Sequence, residues 1–385
     1  MIKKLNNPFV ITGYHSPMYF CDREKETEKL IEALSNNRNV TLISPRRMGK
    51  KGLIHHVFHQ LSAQNRNTIC FYIDIFSTQN LNSFANLFGK TVVGKLDDFS
   101  KKMINKLSAF FKSFRPLFTF DATTGEPSIS LSIQQDETEQ SLQEIFEYLN
   151  SSQKNIYIAI DEFQQITQYP EKGVEALLRS YIQFLPNVHF IFAGSKTHLM
   201  NEMFSSVHRP FYQSTQKIGL KELPMDTYRN FAVHLFNEYN KTLDPILFDW
   251  IYQKMFGHTW YIQLILNHLF ASKLPEYSEQ TVNEIVNDIL EEENATYKTY
   301  CEIISKGQLR LLKSIAIERK VAAPFEQSFM KKHHLSAPSS VKLSLKSLID
   351  KTLIIKDENG FYSVYDRFFS LWLAQNGHQN SRIHS

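Results

Sequence analysis

The sequence predicts an α/β protein that begins with a doubly wound parallel sheet and continues into a helical region and a small C-terminal domain. Short runs rich in Val, Ile, Phe and Tyr recur in the first half, and they are continuous, as in strands buried on both faces. Segments with apolar residues at helical spacing separate these runs, which favours strand–helix alternation. Beyond Pro224 the strand pattern disappears until near the C-terminus.

Four strand-length runs define the predicted sheet: NVTLIS at 39–44, TICFYIDI at 68–75, NIYIAIDE at 155–162 and VHFIFAGS at 188–195. A weaker fifth strand is predicted at 216–223. Two alternating arms around the turn sequence TTGEP predict an inserted β-hairpin at about 115–134. Together these elements predict a core domain over residues 1–223.

Four amphipathic segments predict a helical bundle over residues 224–304. Residues 305–376 predict three short helices and then a hairpin about Asn359-Gly360, a dipeptide that strongly favours such turns. Three helices followed by a hairpin are the winged-helix arrangement. Residues 377–385 are predicted to be a disordered tail.

The composition is that of a soluble globular protein, with 42% apolar and 21% charged residues. Three widely spaced cysteines suit a reducing cytoplasm. The chain has neither a signal peptide pattern nor the run of roughly 20 apolar residues that a membrane helix needs. We therefore predict a cytoplasmic protein without a membrane partner. The net charge of +4 is too small to imply a nucleic-acid partner by itself.

The segment SPRRMGKK, between the first predicted strand and the next helix, has the character of a phosphate-binding loop. Gly49 lets the backbone approach closely, and Lys50 places a charge on the β and γ phosphate oxygens. The full pattern G-x-x-x-x-G-K-[ST] is not met at Ser44 or at Lys51. Taken alone, the loop is equally compatible with an accidental Gly-Lys pair. The candidate phosphate-binding residues are Ser44, Pro45, Arg46, Arg47, Met48, Gly49, Lys50 and Lys51.

An acidic pair, Asp161 and Glu162, ends the third of the four strong strands, at the edge where ligands of α/β sheets bind. Asp161 can hold the shell of a Mg²⁺ ion, and Glu162 can orient an attacking water. The alternative is a solvated acidic pair after a buried strand. The loop and the pair, in this order and on these elements, predict a nucleotide site.

At these residues the chain resembles the P-loop ATPases of the AAA+/STAND group, and most of all the archaeal-type and Bacteroides-type ATPases with a C-terminal winged helix. The matching segments run over nearly the whole chain: YFCDREKETEKL, SPRRMGKKGLI, YIAIDEFQQI, FIFAGSKTHLM, VHRPFYQST, GHTWYIQLI and YSVYDRFFSLWL. The resemblance implies ATP and Mg²⁺ as cofactors and an ATP-driven switch with the helical bundle as its lid.

The resemblance also implies roles for five single residues. Phe20 and Arg23 match a box that helps to enclose adenine, or else belong to an ordinary helix start. Ser195 matches a polar sensor of the γ-phosphate, or is a small turn residue. Arg209 matches an arginine finger acting in cis or in trans, or is a surface arginine paired with a local carboxylate. His258 matches the lid position that faces the nucleotide, or is a helix-cap histidine.

Lys51 stands where the family has Thr or Ser, which removes one direct ligand of Mg²⁺ and adds a charge that repels the cation. We therefore expect nucleotide binding to survive better than hydrolysis. One predicted function is an ATPase that acts as a nucleotide-driven switch, with hydrolysis weakened by Lys51. The alternative is a non-hydrolysing, nucleotide-gated scaffold or a winged-helix DNA-binding regulator.

The predicted winged helix favours a protein partner over DNA. Its third helix, from Pro338, offers Lys342 and Lys346 on one face for phosphate contacts but no arginine that could recognise guanine. The wing carries Asp357 and Glu358, which would face phosphate unfavourably. We therefore expect the winged helix to dock against the ATPase core, or the winged helix or the lid to bind a protein partner, with DNA as the less favoured partner.

Overall fold

The computed structural model describes residues 4–93, 95–96, 110–113, 117–120, 127–130, 132–357 and 359–379. Its described residues form two compact units. The core unit comprises Val10–Phe231 and His258–Trp260, and the helical unit comprises Met1–Phe9, Ala232–Gly257 and Tyr261–Ser385.

Seven strands belong to the described part of the core unit. They are β1 (Val40–Ile43), β2 (Thr68–Asp74), β3 (Leu117–Phe120), β4 (Pro127–Ser130), β5 (Asn155–Asp161), β6 (Val188–Gly194) and β7 (Gln216–Gly219). Five of them form a parallel sheet in the order β2-β5-β6-β1-β7, which confirms the predicted fold class. The other two, β3 and β4, pair antiparallel as the predicted inserted hairpin, whose turn at 121–126 lies outside the described residues.

Helices cover both faces of this sheet. They are α1 (Glu24–Ser35), α2 (Lys50–Gln64), α3 (Leu81–Val93), α4 (Thr138–Asn150), α5 (Val174–Ile182) and α6 (Thr197–Ser205), with short 3₁₀ helices at Pro17–Tyr19, Gln135–Glu137 and Phe163–Gln168. Alternate side chains of β5 point to opposite faces. Ile158 joins the apolar cluster that includes α3 to α6, and Ala159 joins the cluster that includes α1 and α2. Burial on both faces explains why the strands are continuously apolar.

The strand registers bring the carboxyl ends of several strands to one edge of the sheet. Asp74 at the end of β2 pairs with Asp161 at the end of β5. Ile43 at the end of β1 pairs with Gly194 at the end of β6, and the Ser44 N–H donates to the Gly194 carbonyl over 3.2 Å. The loop after β1 and the acidic pair after β5 therefore lie at the same edge.

The helical unit contains most of the remaining elements. They are α7 (Met225–Glu238), α8 (Pro245–Lys254), α9 (Thr259–Ala271), α10 (Glu279–Glu292), α11 (Asn294–Glu302), α12 (Lys306–Glu318), α13 (Gln327–Lys332), α14 (Pro338–Asp350), β8 (Ile354–Lys356), β9 (Tyr362–Val364) and α15 (Arg367–Gln379), and the first residues of α7 and α9 belong to the core unit. The sequence pattern missed α11, in which Tyr297 is the only buried residue and apolar periodicity is weak. Because α15 continues to Gln379, residues 377–379 are helical, not part of a disordered tail as we expected.

The first described residues pack in the helical unit, although we expected them in the core domain. The ring of Phe9 lies 5.1 Å from that of Phe236 and 5.8 Å from that of Phe270. Lys4 Nζ donates to the Glu238 carbonyl over 2.8 Å, and Asn267 Nδ2 donates to the Phe9 carbonyl over 2.7 Å. Burial of one aromatic side chain among distant helices thus decides where this segment lies.

The C-terminal elements confirm the predicted winged helix. Helices α12, α13 and α14 precede the β8–β9 hairpin, in which Ile354 pairs with Val364. An extra β-bridge between Val321 and Tyr362, not predicted from the sequence, adds a third extended segment to the hairpin. Within the described ranges, no helix combines the length and the apolar character that crossing a membrane requires.

Candidate functional site

The loop between β1 and α2 turns sharply before the helix begins. Gly49 is the residue that caps α2, and its φ of 90° lies in the left-handed region, which glycine adopts without steric cost. Arg47 also has a positive φ, of 66°. The first N–H groups of a helix have no partner inside it, and the helix dipole makes this end positive. The start of α2 therefore has the form of an anion-binding turn.

Arg23 forms hydrogen bonds to the backbone of this loop and of the segment after β7. Its side chain is buried, and its guanidinium donates to the Met48 carbonyl over 3.1 Å and to the Lys221 carbonyl, beyond β7, over 2.7 Å. It also pairs with Glu26 over 3.1 Å. The guanidinium therefore supports the loop backbone. Its contact with adenine stays a prediction.

The beginning of α9 contacts the other side of the loop. The Trp260 N–H donates to the Arg47 carbonyl over 3.1 Å, and the Arg47 guanidinium lies 4.2 Å from the Trp260 ring centre. His258, two residues earlier, is partly buried. Arg46 is exposed, with its guanidinium 5.3 Å from the centre of the Phe76 ring. The structure thus places the segment of His258 beside the loop, and the role of His258 toward the nucleotide stays a prediction.

Lys50 joins the loop to the acidic pair. Its Nζ lies 2.7 Å from Asp161 Oδ1 and 3.6 Å from Glu162 Oε1. The side chains of Lys50 and Asp161 are each 8% exposed, so this ion pair is largely desolvated. A buried lysine in such a place needs a counter-charge, since an unpaired buried cation is costly. The structure therefore brings together the two parts of the predicted nucleotide site.

Asp161 accepts hydrogen bonds on both of its oxygens. Tyr72 Oη donates to Oδ2 over 2.5 Å, and the Glu162 N–H donates to Oδ1 over 2.9 Å. Burial by itself would raise the pKa of Asp161, but the Lys50 charge and the hydrogen bonds from Lys50, Tyr72 and the Glu162 N–H outweigh it and hold that pKa below its usual value. Asp161 is therefore an anion at neutral pH.

Glu162 is positioned by two side-chain donors. Ser195 Oγ, just beyond β6, donates to Glu162 Oε2 over 2.7 Å, and Gln164 Nε2 donates to the same oxygen over 2.5 Å. Glu162 itself has a φ of 56°, a left-handed conformation that is uncommon for residues other than glycine. The predicted sensor Ser195 thus lies in the site.

The two positions that depart from the phosphate-loop pattern behave differently. Ser44 is fully buried, and its Oγ donates to the Pro45 carbonyl over 2.9 Å. Lys51 is exposed, and its Nζ lies 5.0 Å from the centre of the Tyr72 ring. A cation at this distance from an aromatic face is weakly attracted to it. Lys51 therefore adds positive charge beside the phenol that binds Asp161.

Two other predicted site residues contact side chains of the core unit. Arg209 pairs with Glu175 over 2.6 Å and with Glu202 over 3.4 Å, both within the core unit. Phe20 stacks on His56 of α2, with ring centres 4.5 Å apart. The arginine-finger role of Arg209 and the adenine role of Phe20 stay predictions.

Sequence reasoning missed Tyr72 and Gln164. Tyr72 lies on β2, opposite Ala159 in the register and two residues before the strand end. Gln164 follows the acidic pair and packs against Gly194, where an added Cβ would lie 2.4 Å from Gln164 Oε1. A polar residue near the end of a strand adjacent to β5 is a usable signal only once the order of the strands is known.

The donor set does not fit a directly bound Mg²⁺ ion. Both oxygens of Asp161 are already engaged, and the position that carries a hydroxyl in the phosphate-loop pattern carries Lys51. Asp161 as a metal ligand stays a prediction from the sequence.

A five-stranded parallel sheet with a phosphate-type loop after β1 and an acidic pair after β5 defines a P-loop protein. A family model described as an ATPase domain predominantly from Archaea matches residues 20–265, and the chain belongs to this family. A second model, described as a probable winged helix domain, matches residues 295–375. Both matches confirm the resemblance predicted from the sequence.

Solved structures similar to this chain have the same fold. A Walker-type ATPase of Pyrococcus abyssi is 17% identical, with a TM-score of 0.62 over 95% of this chain and 99% of that chain. The ORC2 protein of Aeropyrum pernix in ADPNP–ADP complexes is 14% identical, with a TM-score of 0.58 over 98% of each chain. The ORC1 protein of Aeropyrum pernix in complex with DNA is 11% identical, with a TM-score of 0.52 over 98% of each chain. No curated protein sequence matches the chain.

Proposed function

We propose that this chain binds ATP and ADP at residues 44–51 and acts as a STAND-type, nucleotide-driven switch in the cytoplasm. The observation that carries the proposal is the buried Lys50 ammonium at the start of α2, 2.7 Å from Asp161. This cation lies where a helix N-terminus attracts phosphate. The ATPase family to which the chain belongs and the ADPNP–ADP complexes of the similar ORC2 protein support the choice of ligand.

The switch would begin with a change of partner for Lys50. In the structure its ammonium is paired with Asp161 and lies within 4 Å of Glu162. A bound β or γ phosphate would compete for the same ammonium and would weaken its pairing with the two carboxylates. In this proposal, residues 10–223 are the ATPase core, 224–304 the lid and 305–376 the winged helix, and nucleotide closure of the lid repositions the winged helix.

Hydrolysis is weakened in this proposal. Glu162 would orient the attacking water, with Ser195 beside it as the polar sensor. Turnover would also need Mg²⁺, and Asp161 would first have to give up contacts with Lys50 or Tyr72. Lys51 supplies no hydroxyl ligand. The non-hydrolysing form of the proposal is a nucleotide-gated scaffold that binds ATP and ADP without turnover.

Titration calorimetry of the whole chain with ATP and with ADP tests the nucleotide site. Lys50→Met should abolish binding of both nucleotides, because it removes the cation that contacts the phosphates. Lys25→Met, at an exposed position on α1, is the matched control and should bind as the unchanged chain does. Equal affinities of the Lys50→Met and Lys25→Met variants would exclude the site.

Phosphate release tests the weakened hydrolysis. Replacing Lys51 by Thr restores the hydroxyl of the family pattern, so Lys51→Thr should raise the Mg²⁺-dependent rate. An unchanged or lower rate in this variant would contradict the role assigned to Lys51.

The partner of the winged helix is proposed to be a protein. Leu343 on α14 is 71% exposed, which suits an apolar contact. DNA is the second candidate, because Lys342 and Lys346 are exposed on the same helix and the similar ORC1 protein is in complex with DNA. Duplex DNA binding measured at several salt concentrations separates the two. Affinity that falls steeply with salt, and falls further in Lys342→Ala/Lys346→Ala, would favour DNA.

A further inference from the structure

We propose that this site binds nucleotide without a divalent cation, because Tyr72 binds an Asp161 oxygen that the cation would need and Lys51 replaces the hydroxyl ligand of the phosphate-loop pattern. The inference rests on the proposed function and concerns how the same site neutralises phosphate. It identifies Tyr72 as a positioning residue for Asp161 and gives Lys51 a part in binding, beyond its effect on hydrolysis.

The first step is the state of the Asp161 carboxylate. A carboxylate offers about four acceptor positions on its two oxygens. Two accept hydrogen bonds here, from the Glu162 N–H at 2.9 Å and from Tyr72 Oη at 2.5 Å, and Lys50 Nζ forms an ion pair with Oδ1 at 2.7 Å. Mg²⁺ demands near-octahedral oxygen ligands at about 2.0–2.1 Å and gives up its water reluctantly. A cation that bound either oxygen directly would therefore compete with the Lys50 ammonium or with the Tyr72 hydroxyl.

The second step is the fixed position of Tyr72. It stands on β2, a strand in the sheet, in register with Ala159 two residues before Asp161. Its ring packs against the apolar cluster of α1 and α2, and the His55 ring lies 4.8 Å away. Its hydroxyl donates to Asp161 Oδ2 over 2.5 Å. Tyr72 therefore cannot easily swing aside to admit a metal ion.

The third step is the charge of the loop. Lys51 places an ammonium where the pattern has a neutral hydroxyl, and this ammonium lies 5.0 Å from the Tyr72 ring centre. A lysine is a compact point charge that repels a nearby cation and attracts phosphate oxygens. Arg46, Arg47 and Lys50 belong to the same loop. The chain thus supplies positive charge that could neutralise a polyphosphate in place of a metal ion.

The experiment compares affinities for the non-hydrolysable analogue AMP-PNP in EDTA and in Mg²⁺, by titration calorimetry of the whole chain. In the unchanged chain we expect Mg²⁺ to alter the dissociation constant by less than about threefold. In Lys51→Thr/Tyr72→Phe we expect AMP-PNP to bind at least about tenfold more tightly with Mg²⁺ than in EDTA. A change of this size corresponds to removing one charge-assisted contact that opposes binding of the cation.

Tyr157→Phe is the matched control. Tyr157 lies on β5 in register with Cys70, in the same apolar cluster against which Tyr72 packs but farther from the strand ends. Removing its hydroxyl should leave the effect of Mg²⁺ as in the unchanged chain. Lys51→Thr alone changes an exposed side chain and should already show tighter binding with Mg²⁺, so the test does not depend on Tyr72→Phe folding well.

The outcomes separate the inference from the proposed function. Binding by the unchanged chain that is about tenfold or more tighter with Mg²⁺ overturns the inference and leaves nucleotide binding intact. The inference is also overturned if the double variant shows no more dependence on Mg²⁺ than Tyr157→Phe does. No binding of AMP-PNP or ADP by the unchanged chain, with or without Mg²⁺, overturns the proposed function itself.

Discussion

Replacing Lys50 by Met should destabilise the folded core as well as abolish nucleotide binding. Lys50 Nζ lies 2.7 Å from Asp161 Oδ1 and 3.6 Å from Glu162 Oε1, and the Asp161 and Glu162 side chains are 8% and 11% exposed. At an effective dielectric constant of about 20, such distances correspond to gross attractions of about 6 and about 5 kcal/mol. Desolvation of Lys50 in the unchanged chain offsets much of this attraction.

The expected net effect is smaller than the gross attraction. Removing one partner of a buried ion pair typically costs about 3–5 kcal/mol, because the remaining charge is buried without compensation. Tyr72 and the Glu162 N–H still bind Asp161 in the variant, so we expect a fall of about 3 kcal/mol in the free energy of unfolding. Lys50→Met/Asp161→Asn should regain part of this loss, because it removes one buried charge, but it should not regain nucleotide binding.

The pH dependence of unfolding gives a second measure of the same interaction. In the unchanged chain the pKa of Asp161 is below its usual value, so its contribution to stability is present above the ordinary carboxyl pKa of about 3.9 and is lost as the pH falls through the lowered pKa. Without Lys50, the effect of burial should dominate and raise the pKa of Asp161. Protonation of Asp161 would then remove the uncompensated buried charge from the Lys50→Met variant. The difference in unfolding free energy between the unchanged chain and this variant should therefore shrink as the pH falls.

Urea unfolding followed by circular dichroism, at pH 7.5 and at pH values down to 4, measures both effects. The surface variant Lys25→Met is the control and should change the free energy of unfolding by no more than about 0.5 kcal/mol. Two results together would refute the claim that Lys50 compensates a buried acidic pair: Lys50→Met lowers the free energy of unfolding by less than about 1 kcal/mol, and its stability depends on pH as that of the unchanged chain does.

Three further substitutions test the site. Glu162→Gln should abolish any turnover while ATP stays bound, since the amide cannot serve as a base; persistent phosphate release would exclude that role. Gly49→Ala should cost about 1–2 kcal/mol in unfolding free energy and weaken ATP binding, because a residue with a Cβ is strained at a φ of 90°. No neighbouring atom would meet the new Cβ, so the loss would come from backbone strain, and an unchanged stability would argue against that strain. Arg23→Met should cost about 2–3 kcal/mol, since it removes hydrogen bonds to the Met48 and Lys221 carbonyls, and faster hydrogen exchange in the loop should accompany it.

Local patterns carried much of the fold. Four strands of the sheet, β1, β2, β5 and β6, follow from apolar runs, because a strand buried on both faces has no polar side to interrupt it. The pattern of β7 is weaker because this strand lies at the edge of the sheet and exposes two of its four residues. The loop before α2 could be predicted from Gly49 and Lys50, because a glycine in the left-handed conformation followed by a lysine at a helix start is a recognisable local pattern. Helix α11 has no clear apolar pattern, because it buries only one of its nine residues. The segment before Phe9 could not be placed, because its partners Phe236 and Phe270 are over 200 residues away.

The candidate site, like the fold, could be predicted only in part from the sequence. By itself, the sequence determined that a cationic loop and an acidic pair follow different strands, since each is a short motif on a recognisable element. Only the tertiary structure decided that Tyr72 binds Asp161 and that Ser195 and Gln164 share one oxygen of Glu162. Those contacts depend on which strands are neighbours and in what register. Strand order is a property of the assembled sheet, and the apolar pattern of a single strand does not encode which strands become its neighbours.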